Sequence, residues 1–136
     1  MMKLLATVCL ASLALVQPAA AQTSVYAGPP TIKRTPLQRA DLGDREMIMG
    51  IAEIPPGGSA GRHYHHGTES GYVLEGTLNL AVDGEAPRIM KAGESYLIPN
   101  GKVHDAITVG DSAAKVIAVY IVEKGKPLAE PVPAKP

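Results

Sequence analysis

Thiols are nearly missing: among 136 residues the only cysteine is Cys9, and it lies in an apolar run from Leu4 to Val16. A chain without other cysteines builds neither disulfides nor thiolate metal sites, so any metal must be held by nitrogen and oxygen. A charge of one sign is missing too. Thirteen Lys and Arg face thirteen Asp and Glu, and no basic field is present to attract nucleic acid or anionic lipid. No internal repeat is visible, and beyond the first residues no long apolar stripe recurs at helical spacing.

The start of the chain differs from the rest. A short basic opening ending at Lys3 precedes Leu4–Val16, and Ala19-Ala20-Ala21 follows Pro18. This predicts a secretory signal peptide over 1–21, cleaved after Ala21; the apolar run is shorter than the ~20 residues a bilayer-spanning helix needs. Cys9 would leave with the peptide, and the mature chain would have no membrane partner. The expected location is the periplasm or the extracellular medium.

After 21, short aliphatic runs are broken by Gly, Pro, Asn and Asp, the rhythm of an antiparallel all-β sandwich or barrel. From Thr77 to Asp83, Leu78, Leu80 and Val82 alternate with wetter positions, and "VDGE" supplies an Asp-Gly hairpin turn before a strand around Arg88–Lys91. "EMIMGIAEI" (46–54) and "KVIAVYIVE" (115–123) are apolar on both parities, so a second sheet or a partner subunit must cover their other face. A homodimer is the expectation. Residues 22–30 read as an N-terminal arm and 125–136 as a mobile Pro-rich C-terminal tail, because proline removes ladder donors.

The stretch "GRHYHHGTESGYVLEG" (61–76) gathers three of the four histidines and two glutamates. Two residues apart on a strand, His63 and His65 point to one face with Cα atoms ~6.6 Å apart, close enough to share one ion; Tyr64 and His66 project the other way. A turn at Gly67 would return Glu69 on the neighbouring strand of the same hairpin. His104, after the Pro-Asn-Gly turn at 99–101, is the remaining histidine to complete the set from a different hairpin.

The spacing Gly57, five residues, His63-x-His65, three residues, Glu69, six residues, Gly76, followed by Gly93, five residues, Pro99-x-Gly101, two residues, His104, resembles the two motifs of the cupin superfamily, in particular its small single-domain bacterial members. Thr108 departs from the pattern, standing where Asn often follows; that position supports a turn and is not a ligand. The resemblance runs from about 31 to 124. It implies a double-stranded β-helix, or jelly-roll barrel, holding one divalent metal ion through His63, His65, Glu69 and His104. Three imidazoles and a carboxylate suit Mn, Fe, Ni, Cu or Zn alike, and an octahedral ion would keep two positions open for a small-molecule substrate or ligand.

Other residues carry plainer expectations. His66 and Arg62 read as solvated outer face, and Glu75 as surface. Tyr72, Tyr96 and Tyr120 sit in apolar runs and read as core, as do Met47, Met49 and Met90, with Met49 or Ile51 the candidates to line a cavity. No second acid or base stands near the motifs; Thr68, Tyr72 and Tyr96 are the only hydroxyls to test. The implied function is an exported metalloenzyme of oxygenase or isomerase type, with a binding protein that captures a sugar or organic acid without turnover as the alternative.

Overall fold

The computed structural model describes residues 32–133. The expected signal peptide (1–21) and N-terminal arm (22–30) lie outside the described residues. Within them every regular element is a strand: β1 (Lys33–Leu42), β2 (Arg45–Ile54), β3 (His63–Tyr64), β4 (Gly67–Glu75), β5 (Thr77–Val82), β6 (Arg88–Lys91), β7 (Ser95–Ile98), β8 (His104–Thr108), β9 (Ala114–Glu123) and β10 (Glu130–Pro131). They form two five-stranded antiparallel sheets, ordered β1-β2-β9-β4-β7 and β10-β3-β8-β5-β6, a jelly-roll barrel.

Alternation fixes what each strand buries. On β5, Leu78, Leu80 and Val82 point inward, where they meet Met90 and Ala106 of the same sheet and Ile54, Val73, Ile98 and Val116 of the other. Fully burying each such aliphatic side chain contributes about 1.5–3 kcal/mol. The Asp83-Gly84 turn links β5 to β6 as its sequence requires, with Leu78 opposite Met90. Gly57, Gly76, Gly93 and Gly101 all take positive φ, consistent with turn positions. At an edge, β1 carries Pro36 beside a bulge between Pro36 and Gln38, where a missing ladder donor does least harm.

The doubly apolar strands β2 and β9 pair over their whole length, from Arg45 opposite Glu123 to Ile54 opposite Ala114. Ile48, Ala52, Ile54, Val116, Ala118, Tyr120 and Val122 are buried inside. Their other face bears Met47, Met49, Ile51, Ile117 and Val119, all half-buried, and Ile121, exposed. Met47 and Met49 therefore belong to the outer face and not to the core; a strand apolar on both sides gives no sequence signal of which side turns in. Tyr72 is likewise exposed, whereas Met90, Tyr96 and Tyr120 are core.

The C-terminal segment departs most from expectation. Instead of a free tail, β10 adds to the edge of β3, with Glu130 opposite Tyr64 and Pro131 opposite His63, and the Val132 N–H donates to the Arg62 carbonyl at 2.9 Å. Proline at an edge position is compatible with such pairing.

Candidate metal centre

Two neighbouring strands and one crossing bring the polar set together. His63 on β3 and His104 on β8 are direct cross-strand partners, which sets their rings 4.3 Å apart between centroids. His65 follows immediately after β3, its ring 4.8 Å from His63 and 5.2 Å from His104. The chain then crosses the barrel: β4, which carries Glu69, pairs with β9 and β7 in the opposite sheet. Glu69 therefore faces the histidines across the interior and does not return beside them on a hairpin, as the spacing alone suggested. Gly67 permits the crossing, since a Cβ there would lie 2.0 Å from the Ile121 carbonyl oxygen.

All four side chains are buried, and their donor atoms lie within 4.8 Å of one another. An ion ~2.1 Å from each donor holds the donors about 3–4 Å apart, so the set surrounds one ion once its widest spacing closes slightly. The ring orientations agree. His63 Nδ1 faces the Gly61 carbonyl at 2.6 Å, His65 Nδ1 the Leu128 carbonyl at 2.5 Å and His104 Nδ1 the Lys102 carbonyl at 3.0 Å. Against a carbonyl a ring nitrogen can only donate, which leaves each Nε2 lone pair free in the neutral ring. His65 Nε2 and His104 Nε2 lie 2.8 and 3.1 Å from Glu69 Oε2. Two lone pairs and a carboxylate oxygen at that range need a cation between them, a proton or a metal.

The electrostatics point the same way. Burial pushes Glu69 up, but the hydrogen bonds and charge of His104 and His65 outweigh it and hold the carboxyl well below the usual range. Burial, then the neighbouring His104, lowers His63 to about 4, keeping this ring neutral near pH 7. Glu69 Oε1 accepts from the Tyr96 hydroxyl at 2.9 Å, and Tyr96 is raised well above its ordinary value, first by burial and then by the Glu69 charge, so it stays a donor. Gly71 leaves the room: a Cβ there would sit 2.2 Å from the Tyr96 ring. Outer partners of this kind fix ligand orientation and tautomer.

Beside His63, Glu69 and His104 is a cavity of about 20 Å³ that also touches Tyr96, Ala52, Tyr120 and Arg34, room for about one water molecule. It shares Arg34, Ala52 and Tyr120 with a larger cavity of about 190 Å³ bounded by β1, β2 and Leu128. Ile51 lines that outer cavity and Met49 does not.

His66 stands apart, 3.3 Å from Glu130. Arg62 is not solvated outer face but half-buried, its guanidinium forked onto Asp83 at 2.8 and 2.9 Å. Glu75 is surface, paired with Lys115 at 3.2 Å. Thr108 supports the turn at 55–58, donating to the Pro55 carbonyl at 2.8 Å and accepting from the Gly58 N–H at 2.9 Å. What the sequence reading missed is the supporting layer, namely Leu128 and the Tyr96–Glu69 bond. A backbone carbonyl has no side-chain signature, and a tyrosine in an apolar run reads as core first.

A family model described as a cupin domain matches residues 50–120, just over half of the chain. An oxalate oxidase of Triticum aestivum is 31% identical over 82 residues, covering 54% of this chain and 37% of that protein, and a germin-like protein of Oryza sativa subsp. japonica is 30% identical over the same length, covering 54% and 36%. The chain thus spans little more than a third of the curated relatives it matches. Among solved structures, an oxalate oxidase in complex with the substrate analogue glycolate aligns with TM-score 0.52 at 29% identity, covering 54% of this chain and 41% of that one. The polyketide cyclase RemF from Streptomyces resistomycificus aligns with TM-score 0.56 at 26% identity, covering 68% and 64%.

Proposed function

The chain belongs to the cupin family, and from that premise we propose that it is an exported mononuclear metalloenzyme of oxygenase or isomerase type acting on a small organic molecule. The observation that carries this is the orientation of the imidazoles: the Nδ1 atoms of His63, His65 and His104 are all committed to backbone carbonyls, so their Nε2 atoms are reserved for a cation shared with Glu69. His63, His65, Glu69 and His104 would hold one ion of Mn, Fe, Ni, Cu or Zn, which when bound supplies Lewis-acid or redox chemistry at its open positions. The chain itself excludes water through the apolar walls around the site and keeps Glu69 ionised through its histidine neighbours. Tyr96 holds a proton at its hydroxyl, against Glu69 Oε1.

Small organic acids head the substrate panel, because the matched relatives include oxalate oxidases, one of them solved in complex with the substrate analogue glycolate. Protein loaded with each metal in turn and given organic acids, phenols and sugars tests the reading: product formation supports it, and saturable binding without product supports a capture protein instead. That second reading has its own observation: among the described residues the inner cavity adds Tyr96 and Tyr120, both raised by burial and so poor proton shuttles near neutral pH, and Arg34.

Export rests on the leader-like residues 1–21, and no nucleic-acid role is proposed. A homodimer through the outer face of β2 and β9 is part of the proposal. Met47 stands opposite Ile121, Met49 opposite Val119 and Ile51 opposite Ile117, and the surface continues to the exposed Tyr72, Leu74 and Leu97. Exposed apolar faces of this extent mark association sites.

A further inference from the structure

The edge strand β1 places two arginines, both still solvent-exposed, on the face of the sheet that its neighbour β2 turns toward the core. Arg34 is paired opposite Ala52 and Arg39 opposite Ile48; directly opposed residues share a face of the sheet, and both partners are buried core. Arg39 is neutralised locally, its Nε 3.2 Å from Glu46 Oε2. Arg34 leans instead on the Tyr120 hydroxyl and is close enough to His63 and Tyr96 for its charge to act there. It lines both cavities, the small one bordered by His63, Glu69 and His104 and the apolar one outside it. A guanidinium fork matches a carboxylate. A cavity of about 190 Å³ exceeds the roughly 150 Å³ apolar void that accepts benzene.

We propose that Arg34 is the specificity-determining residue of the barrel, anchoring the carboxylate of a small organic acid whose apolar body, about the size of one ring, fills the outer cavity. This rests on reading the barrel interior as a ligand site, and it narrows the substrate class to apolar monocarboxylates. A ligand the size of oxalate would leave the outer cavity, with its wall of Ile48, Pro36 and Leu128, unused. A charge on an edge strand also discourages edge-to-edge pairing, but that role is indifferent to ligands.

Calorimetric titration of benzoate, benzyl alcohol and oxalate into the full-length mature chain, metal-depleted and Mn²⁺-loaded, separates these roles. Benzoate is expected to bind more tightly than either comparison ligand. Arg34→Gln should weaken benzoate about 10- to 100-fold, as loss of a hydrogen-bonded charge does, while leaving benzyl alcohol unchanged. Lys33→Gln, which removes the neighbouring outward charge, should alter nothing, and Arg34→Lys should recover part of the loss. Melting curves establish that each variant is folded. Benzoate binding that is absent, weaker than oxalate binding, or equal in wild type and Arg34→Gln overturns the inference. Metal content of the same samples keeps the two readings apart: Arg34-dependent benzoate binding without metal uptake sinks the metal centre and supports Arg34, and stoichiometric metal with Arg34-independent binding does the reverse.

Discussion

In one sheet, β2 and β9 pair through ten residues each and β4 lies against β9 from Gly67 to Glu75. In the facing sheet, β3 and β10 are two residues long, and the ladder between β3 and β8 is the single pair His63–His104. The long-stranded sheet contributes most of the buried aliphatic area and one donor, Glu69; the short-stranded sheet and its edge bring the three histidines. What replaces ladder length there is side-chain and turn bonding: Arg62 forked onto Asp83, Ser59 donating to Asp105 at 2.9 Å, and the Leu128 carbonyl on His65. The geometry of the candidate metal centre is thus kept by polar contacts on a sheet whose own ladders are weak, against a second sheet that supplies the rigid wall. Changes to the two sheets should therefore read out differently, metal affinity in one and global stability or association in the other.

The largest effect is expected from the donors. His63→Ala with His104→Ala should abolish stoichiometric metal uptake, measured by elemental analysis after dialysis, while far-ultraviolet circular dichroism stays β-type; retained uptake would place the ion elsewhere. Acid should next weaken the metal-free protein. His63 is lowered to about 4 in the fold against 6.5 when unfolded, so its contribution is fully present above 6.5 and is lost as pH falls through 4. The unfolded chain takes up the proton first, and stability drops by about 3 kcal/mol over that window. Glu69, held low, acts with the same sign at lower pH. Urea midpoints from pH 7 to 4 check this, with a flatter slope expected for His63→Gln.

Removing the C-terminal segment that carries Leu128 and β10 ranks third. A chain ending at Lys126 loses the Leu128 carbonyl and β10, and metal affinity should fall about 10- to 100-fold, the usual cost of an outer partner, by competition with a chelating dye. Tyr96→Phe strips Glu69 Oε1 of its donor inside a preserved core, and a loss nearer tenfold is expected in the same assay. The smallest effect on the site should come from the outer face: Val119→Glu ought to leave metal affinity unchanged while converting a dimer to a monomer in sedimentation velocity. A wild-type monomer at micromolar concentration would refute the dimer outright.

Much of this was legible in the chain. β5 and its hairpin followed from strict alternation at Leu78, Leu80 and Val82 and from Asp83-Gly84. The grouping of His63, His65, Glu69 and His104 was legible through the resemblance of their spacing to the two cupin motifs. The faces of β2 were not, because Met47 and Ile48 are equally apolar and period-two reasoning needs contrast. Nor was the crossing between His65 and Glu69, since a tight turn and a change of sheet both begin with a glycine, and only the approach of Gly67 to Ile121 distinguishes them. The Pro-rich end read as loose because its role is carried by a backbone carbonyl. Tyr72 and Tyr96 shared one expectation and met opposite fates: Tyr96 sits opposite Gly71, on the inward parity of β4, and Tyr72 is the next residue along.

X-ray absorption at the metal edge of stoichiometrically loaded protein tests the centre most directly. Three imidazoles and one carboxylate around one ion per chain is the expected shell. An ion with no imidazole scattering, or a chain that takes up none of the five metals, would contradict it.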